Sequence, residues 1–201
     1  MSMQRAVASA GFVLLLLTLA LPWMTLSVGC TGGLAPKTGI DLLHANDAQI
    51  SVHHDNDQAE GTVHIDPQPA IWAVLILAVA GAAAYLIRNR RGFFVRAAIS
   101  AAALAVVAVY SGTLVNGSPG VTFHGTGTPP ETQVRAGEWV ATIALLPTLL
   151  LNLTLPLVFP EERARTWDAR TVVRLGVYVV AVALASGLGL WGIALAIGAA
   201  T

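Results

Sequence analysis

The stretch from Asp66 to Arg96, DPQPAIWAVLILAVAGAAAYLIRNRRGFFVR, decides the fold class. No charged side chain stands between Asp66 and Arg88, and then Arg88, Arg90, Arg91 and Arg96 follow in quick succession. A charge at the bilayer centre costs about 2.5–3.5 kcal/mol on insertion scales, so the uncharged run reads as a membrane span and the arginines as its stop. Four further charge-free stretches lie between Arg5 and Lys37, Arg96 and Glu131, Glu138 and Glu161, and Arg174 and Thr201. About 20 apolar residues cross a ~30 Å hydrocarbon core. The five stretches therefore trim to spans at 6–28, 70–87, 97–115, 139–159 and 175–197.

Composition agrees. Of 201 residues, 55% are hydrophobic and 11% are charged, with a mean hydropathy of +0.69, whereas a soluble domain carries about 25% charged residues. A water-soluble fold is not expected on that ground, and nothing points to a nucleic-acid partner. The 11 basic and 11 acidic residues cancel in total but not in place. With the N-terminus in the cytoplasm, Arg5, the four arginines from Arg88 to Arg96, and Arg163, Arg165, Arg170 and Arg174 all fall inside, leaving Lys37 and Arg135 outside. That is the orientation the positive-inside rule selects. Aromatic residues give a second criterion, since amphipathic rings settle at headgroup level. Trp23, Tyr110, Trp72 and Trp139 mark the outer boundary, and Phe93, Phe94 and Trp167 the inner one.

Arg5, the apolar run after it and Cys30 loosely resemble the start of a lipoprotein, but Ser27 stands where the cleavage signal needs an aliphatic residue. The run is long enough to span, so the first helix is expected to stay on the protein. One cysteine forms no disulfide within the chain, and Cys30 is expected to be a small residue at the membrane boundary.

The expected fold is thus an all-α membrane protein of five transmembrane helices, N-terminus in and C-terminus out, with a small β-containing outer domain built from two extracytoplasmic loops. The divisions are 1–28 for the first helix, 29–69 for an outer loop with a β-hairpin, 70–115 for the second and third helices, 116–138 for the second outer loop, and 139–201 for the fourth and fifth helices. In the first loop, PKTGIDLLH opens on turn residues and passes into a short apolar stretch. After it, Ile50 and Val52 alternate with Ser51 and His53, and Val63 and Ile65 alternate with Thr62 and His64, the period of two of half-buried strands, with DNDQAEG as the connecting loop. Keeping the apolar faces together places His53 opposite His64 or Thr62. Val121 to His124 is a third candidate strand, which would bring His53, His64 and His124 onto one face.

Those three histidines, among nearby carboxylates, are the candidate metal ligands, for zinc or copper. Their spacing matches no standard motif, and the plainer reading is a solvated loop with no cofactor. Asp55, Asn56, Asp57 and Gly61 fail the calcium-loop pattern, Gly125 to Gly127 lacks a nucleotide fingerprint, and Asn116-Gly117-Ser118 is a glycosylation sequon that matters only in a glycosylating pathway.

Inside the membrane, Ala181, Ala185 and Gly189 recur every four residues on the fifth span, a seam that lets another helix approach closely. Pro147 and Pro156 in the fourth span free the carbonyls of Ile143 and Asn152, and Thr148 and Asn152 lie one turn apart, so a kinked helix with a polar face is expected. Thr148 and Asn152 read as groups that satisfy freed carbonyls or bond a neighbouring helix. No ionisable residue falls at mid-membrane, which counts against a pump. Pro160, Glu161 and Glu162 resemble a helix start, so the fifth helix is expected to begin before the bilayer.

Leu21-Pro22-Trp23 followed by Thr38-Gly39-Ile40-Asp41-Leu42-Leu43 resembles a pattern in small, uncharacterised prokaryotic multi-pass membrane proteins whose first helix ends in LPW. The resemblance covers residues 6–43 and implies a prokaryotic plasma membrane and no known activity.

No serine or cysteine nucleophile has a histidine at motif spacing, and no enzyme motif is present. The leading expectation is a non-catalytic accessory or structural subunit, whose partners are the bilayer and other integral membrane proteins or further copies of itself. Metal binding on the outer surface is the alternative, and a small transporter or channel built on the fourth helix is the third reading.

Overall fold

The computed structural model describes residues 3–27, 33–54, 57–87, 91–116, 120–127, 129, 131–158 and 169–198. In chain order they form α1 (Met3–Thr18), β1 (Pro22–Ser27), β2 (Gly33–Thr38), β3 (Asn46–His54), β4 (Asp57–Ile65), α2 (Pro69–Ala83), α3 (Arg91–Asn116), β5 (Val121–Gly127), β6 (Glu131–Val134), α4 (Ala136–Val158) and α5 (Ala169–Gly198). Three segments, Pro69–Leu86, Arg91–Leu114 and Ala136–Val158, are long and apolar enough to cross a membrane. The apolar part of α1, Ala6–Thr18, is shorter, as is the described apolar stretch of α5, Val172–Ser186. Helix α4 packs on α1, α3 and α5, and α2 packs on α1 and α3. The ring of Phe12 on α1 covers Gly81 of α2, at a spot where any Cβ would collide with it.

The first span is not helical to its expected end. Helix α1 stops at Thr18, and Pro22–Ser27 forms a strand whose residues from Trp23 onward are buried without alternation. A strand covered on both faces is as continuously apolar as a span, so periodicity does not separate the two. Pro22, which lacks an N–H, marks the break. Trp23 and Tyr110 are buried within the protein, with their rings 6.4 Å apart. The Trp23 indole N–H donates to the carbonyl of Thr18 at 2.8 Å, a second donor to the oxygen that already accepts the Leu21 N–H at 3.0 Å at the end of α1. Phe93 is also buried, whereas Trp72, Trp139 and Phe94 are exposed.

All six strands lie in the connections between α1 and α2 and between α3 and α4, so they collect at one end of the bundle. They form two antiparallel sheets, β2-β1-β6 and β3-β4-β5, and each joins both connections. The segment between β2 and β3 seats the sheets on the helices. Thr38 donates its backbone N–H and its hydroxyl to the Asp41 carboxylate at 2.9 and 2.8 Å and starts a short 3-10 turn, Asp41–Leu43. These bonds hold the Asp41 carboxyl below its ordinary pKa. Leu42 is fully buried, its carbonyl accepts from the Gln68 N–H at 2.9 Å, and the Leu43 carbonyl accepts from the Trp72 indole at 2.9 Å. The two halves of the LPW pattern thus meet, because Gly39 lies against Leu19 and the Trp23 ring.

The hairpin forms, but in a register different from the expected ones. His54 pairs with Asp57, so the strands run through DQAEG, and His53 stands opposite Gln58 while His64 stands opposite Asp47. Gly61 had marked a loop in the sequence. It pairs instead with Gly125 on β5, where a Cβ on either residue would strike the opposite backbone, so glycine here marks a close approach of strands. The third strand adds to β4 as expected, and β6 is one the alternation did not disclose. Cys30, the sequon residues Gly117 and Ser118, and residues 159–168 with Arg163, Arg165 and Trp167 lie outside the described residues. Arg170 and Arg174 are within α5.

Gly137, the second residue of α4, presses on the Trp23 ring, and a Cβ there would meet indole atoms and the Pro22 carbonyl. Gly137→Val is expected to destabilise the chain by about 1–3 kcal/mol, read as a lowered thermal midpoint in detergent. Gly176→Val on α5, where a Cβ meets nothing within 4 Å, should change it little, and equal losses in the two variants would refute this packing.

Candidate functional site

Two groups of polar side chains stand out, one on the β3-β4-β5 sheet and one inside the helices. On the sheet, Ala48, Ile50, Val63 and Ile65 are buried, and Val121 and Phe123 pack against the same core. The pairing then sends Asp47, Thr62, His64, Thr122 and His124 to the opposite face. His64 Nδ1 lies 2.6 Å from Asp47 Oδ1, and its Nε2 lies 3.5 Å from Asp66 Oδ1. The hydrogen bond to Asp47 raises the pKa of this exposed imidazole above 6.5, with a smaller contribution from Asp66.

His124 is opposite Thr62, two positions along β4 from His64. His53 is opposite Gln58, six positions from His64, which at the strand rise amounts to about 20 Å. The register thus puts His64 and His124 on one face and does not bring His53 to the other two. Among the described residues, no group of three or more His, Cys, Asp or Glu side chains is arranged to hold a metal ion. His44 packs edge-on against Trp72, 6.4 Å between ring centres.

Inside the helices, the sequence had placed Arg96 and Glu138 at the boundaries as topology charges. The structure buries both, at 0% and 2% exposure. Arg96 lies five residues into α3, about 8 Å along the axis. Its Nε donates to Asn152 Oδ1 on α4 at 3.0 Å, its Nη1 donates to the Ala84 carbonyl at the end of α2 at 2.9 Å, and its guanidinium lies 4.7 Å from the centre of the Phe93 ring. A cation at a helix C-terminus is favourably placed in the field of the peptide dipoles. Asn152 Nδ2 in turn donates to the Ala8 carbonyl of α1 at 3.0 Å and to the Thr148 carbonyl at 2.8 Å.

Thr148 donates to the Ala144 carbonyl at 2.6 Å. Both side chains therefore bond the carbonyl four residues back, rather than those of Ile143 and Asn152 that the prolines free, and Asn152 ties neighbouring helices together. At the strand end of the same α3–α4 seam, Glu138 sits in the first turn of α4, where a carboxyl is favoured. Its Oε2 accepts the Ser111 hydroxyl at 2.6 Å.

Sequence reasoning found Asn152 as a lone amide in an apolar run. It missed Arg96, although Phe93, Phe94 and Val95 before it and Ala97 and Ala98 after it are a poor setting for a solvated charge. Of the small residues on α5, Ala181 and Ala185 face away from the bundle and are exposed, and Gly189 lies within the helix. Compared with protein-family models, with curated proteins and with solved structures, the chain matches none.

Asn152→Ala removes an acceptor from a buried guanidinium and a donor to Ala8, and is expected to cost about 1.5–3 kcal/mol, measured as a lower unfolding midpoint in detergent. Arg96→Leu combined with Asn152→Leu should cost less than the two single changes added together, since no buried polar group is left alone; strict additivity would count against the pair. For His64, an NMR titration should give a pKa above 6.5 that returns towards 6.5 in Asp47→Asn. Because the folded pKa is the raised one, the ion pair's contribution is complete below pH 6.5 and disappears as pH rises through the folded value. An unmoved titration in Asp47→Asn would show that Asp47 is not the cause.

Proposed function

We propose that this chain is a non-catalytic integral membrane protein, an accessory or structural subunit that docks other membrane helices or further copies of itself. The observation that carries the reading is the exposed face of α5. Val173, Val177, Val180 and Leu184 lie exposed on it together with Ala181 and Ala185, while Leu175, with Tyr178, Val179 and Val182, packs towards the bundle. The small-residue seam is thus left for an outside helix, and such seams allow close backbone approach. The polar groups of the fourth helix support the same reading. Asn152, on which transport through the bundle would depend, is held between α1, α3 and its own helix.

In this reading the three long apolar helices, together with α1 and α5, sit in the plasma membrane of a prokaryote. The strand-bearing end is extracytoplasmic and the arginine-rich connections are inside, as the distribution of basic residues favours. The LPW resemblance supports the prokaryotic setting. Metal binding on the sheet keeps less support, because the register separates His53 from His64 and His124.

A cysteine at Ala185, in a chain with Cys30→Ala, should cross-link in membranes to a second protein or a second copy, whereas one at the buried Leu175 should not. In intact cells, a cysteine at the exposed Thr126 should react with an impermeant thiol reagent. A tagged protein that runs alone as a monomer in mild detergent and gives no cross-link from position 185 would remove the subunit reading.

A further inference from the structure

On the surface of the β2-β1-β6 sheet, Pro22, Thr25, Pro36, Arg135 and Ala136 line an open cleft of about 330 Å³, at the lower end of the roughly 300–1,000 Å³ range of small-molecule sites. Thr25 is the centre of a cross-strand row, with Pro36 opposite it on β2 and Gln133 on β6. The guanidinium of Arg135 lies over that row. Its Nε donates to the Thr25 hydroxyl at 2.8 Å, and its Nη2 donates to the Gln133 side-chain carbonyl at 2.9 Å. A guanidinium carries five N–H donors, so these two bonds fix the plane of the fork without exhausting it. The carboxylate nearest in sequence, Glu138, is turned inward and accepts from Ser111, at 2% exposure, so it does not answer this charge from within the cleft.

The cleft stands at the head of an apolar stripe. Arg135 precedes the first residue of α4, and Trp139, Ile143, Leu153 and Leu157 fall on one face of that helix. All four of these apolar side chains are exposed. The residue that precedes α4 therefore offers a positioned fork donor, and one face of α4 then offers an indole ring of the kind that settles at headgroup level, followed by aliphatic surface.

We infer that the cleft holds the phosphate of an anionic phospholipid, gripped by Arg135, with an acyl chain lying along Trp139 and Ile143. This assignment rests on the membrane reading given above. A guanidinium matches phosphate oxygens two at a time, and a headgroup without a cation of its own leaves that charge unopposed. Inorganic phosphate offers the same oxygens but no chain for the stripe, and that separates the two sources.

The test uses the full chain purified in mild detergent, with retention of added phosphatidylglycerol or phosphatidylcholine followed by native mass spectrometry and inorganic phosphate added as a competitor. Phosphatidylglycerol should be retained in preference. Arg135→Gln should weaken that retention about tenfold, and Arg135→Lys should weaken it less, since an ammonium keeps the charge but not the fork. Trp139→Ala leaves the sheet untouched and should weaken lipid retention as well.

Equal retention by Arg135→Gln and wild type, with matching circular dichroism, would overturn the assignment. So would displacement of the lipid by an equal concentration of inorganic phosphate, which would make the occupant a soluble anion. Cell fractionation separates the two failures: a chain found in the membrane fraction with an indifferent Arg135 loses only the lipid site, and a chain found in the soluble fraction loses both readings.

Discussion

A guanidinium that is always charged does not enter a dry helix interface unless acceptors are waiting, and Arg96 is the constraint to which this bundle answers. Its acceptors come from the end of α2 and the middle of α4, and the amide that receives it reaches on to α1. Four helices are therefore held at one relative depth. Sliding α4 by a single turn, about 5.4 Å, would withdraw Asn152 from both Arg96 and Ala8. Glu138 and Ser111 tie the same seam at its other end, 14 residues along α4 and so about 21 Å away. Apolar packing alone would set neither position, because one aliphatic contact replaces another at little cost.

The strand end inherits this alignment. With α1 and α4 fixed side by side, the segment leaving α1 and the segment entering α4 run next to each other, and β1 and β6 pair. Trp23 sits where the two helices and the sheet meet. It closes the end of α1 through Thr18, packs on Tyr110, and leaves room only for glycine at position 137. The bonds of Thr38 and Asp41 and the burial of Leu42 hold the other margin of this junction. Gly39, in the segment that follows β2, lies against Leu19 and the Trp23 ring at this junction.

Much of this was legible in the residues. Runs without charge located the helices, and the alternation around Ile50 and Val63 located the hairpin, together with the third strand at Val121. What was lost has definite causes. A strand buried on both sides shows no alternation, so β1 was indistinguishable from a continued helix. A glycine that lets strands approach looks the same in sequence as a glycine that ends one, so the hairpin was read short and its register displaced. Arg96 belongs to a cluster of arginines that reads as a topology signal, and only the packing of α3 against α2 and α4 shows that one member turns inward. Asn152 was visible, while its partner, 56 positions away, was not.

The pairing of β1 with β6 also sets an order of assembly. Ser27 meets Glu131 across 104 positions of chain, so the central strand is made long before its second neighbour exists. Throughout that interval one edge of β1 has its peptide groups unmatched, and loop closure over such a distance is slow compared with forming a local hairpin. The β3–β4 ribbon can form as soon as Ile65 has been synthesised, but the sheet around Trp23 must wait for the third helix and the residues after it. A chain stopped before Glu131 would carry an unguarded strand edge, the kind of surface on which unfinished proteins stick to one another.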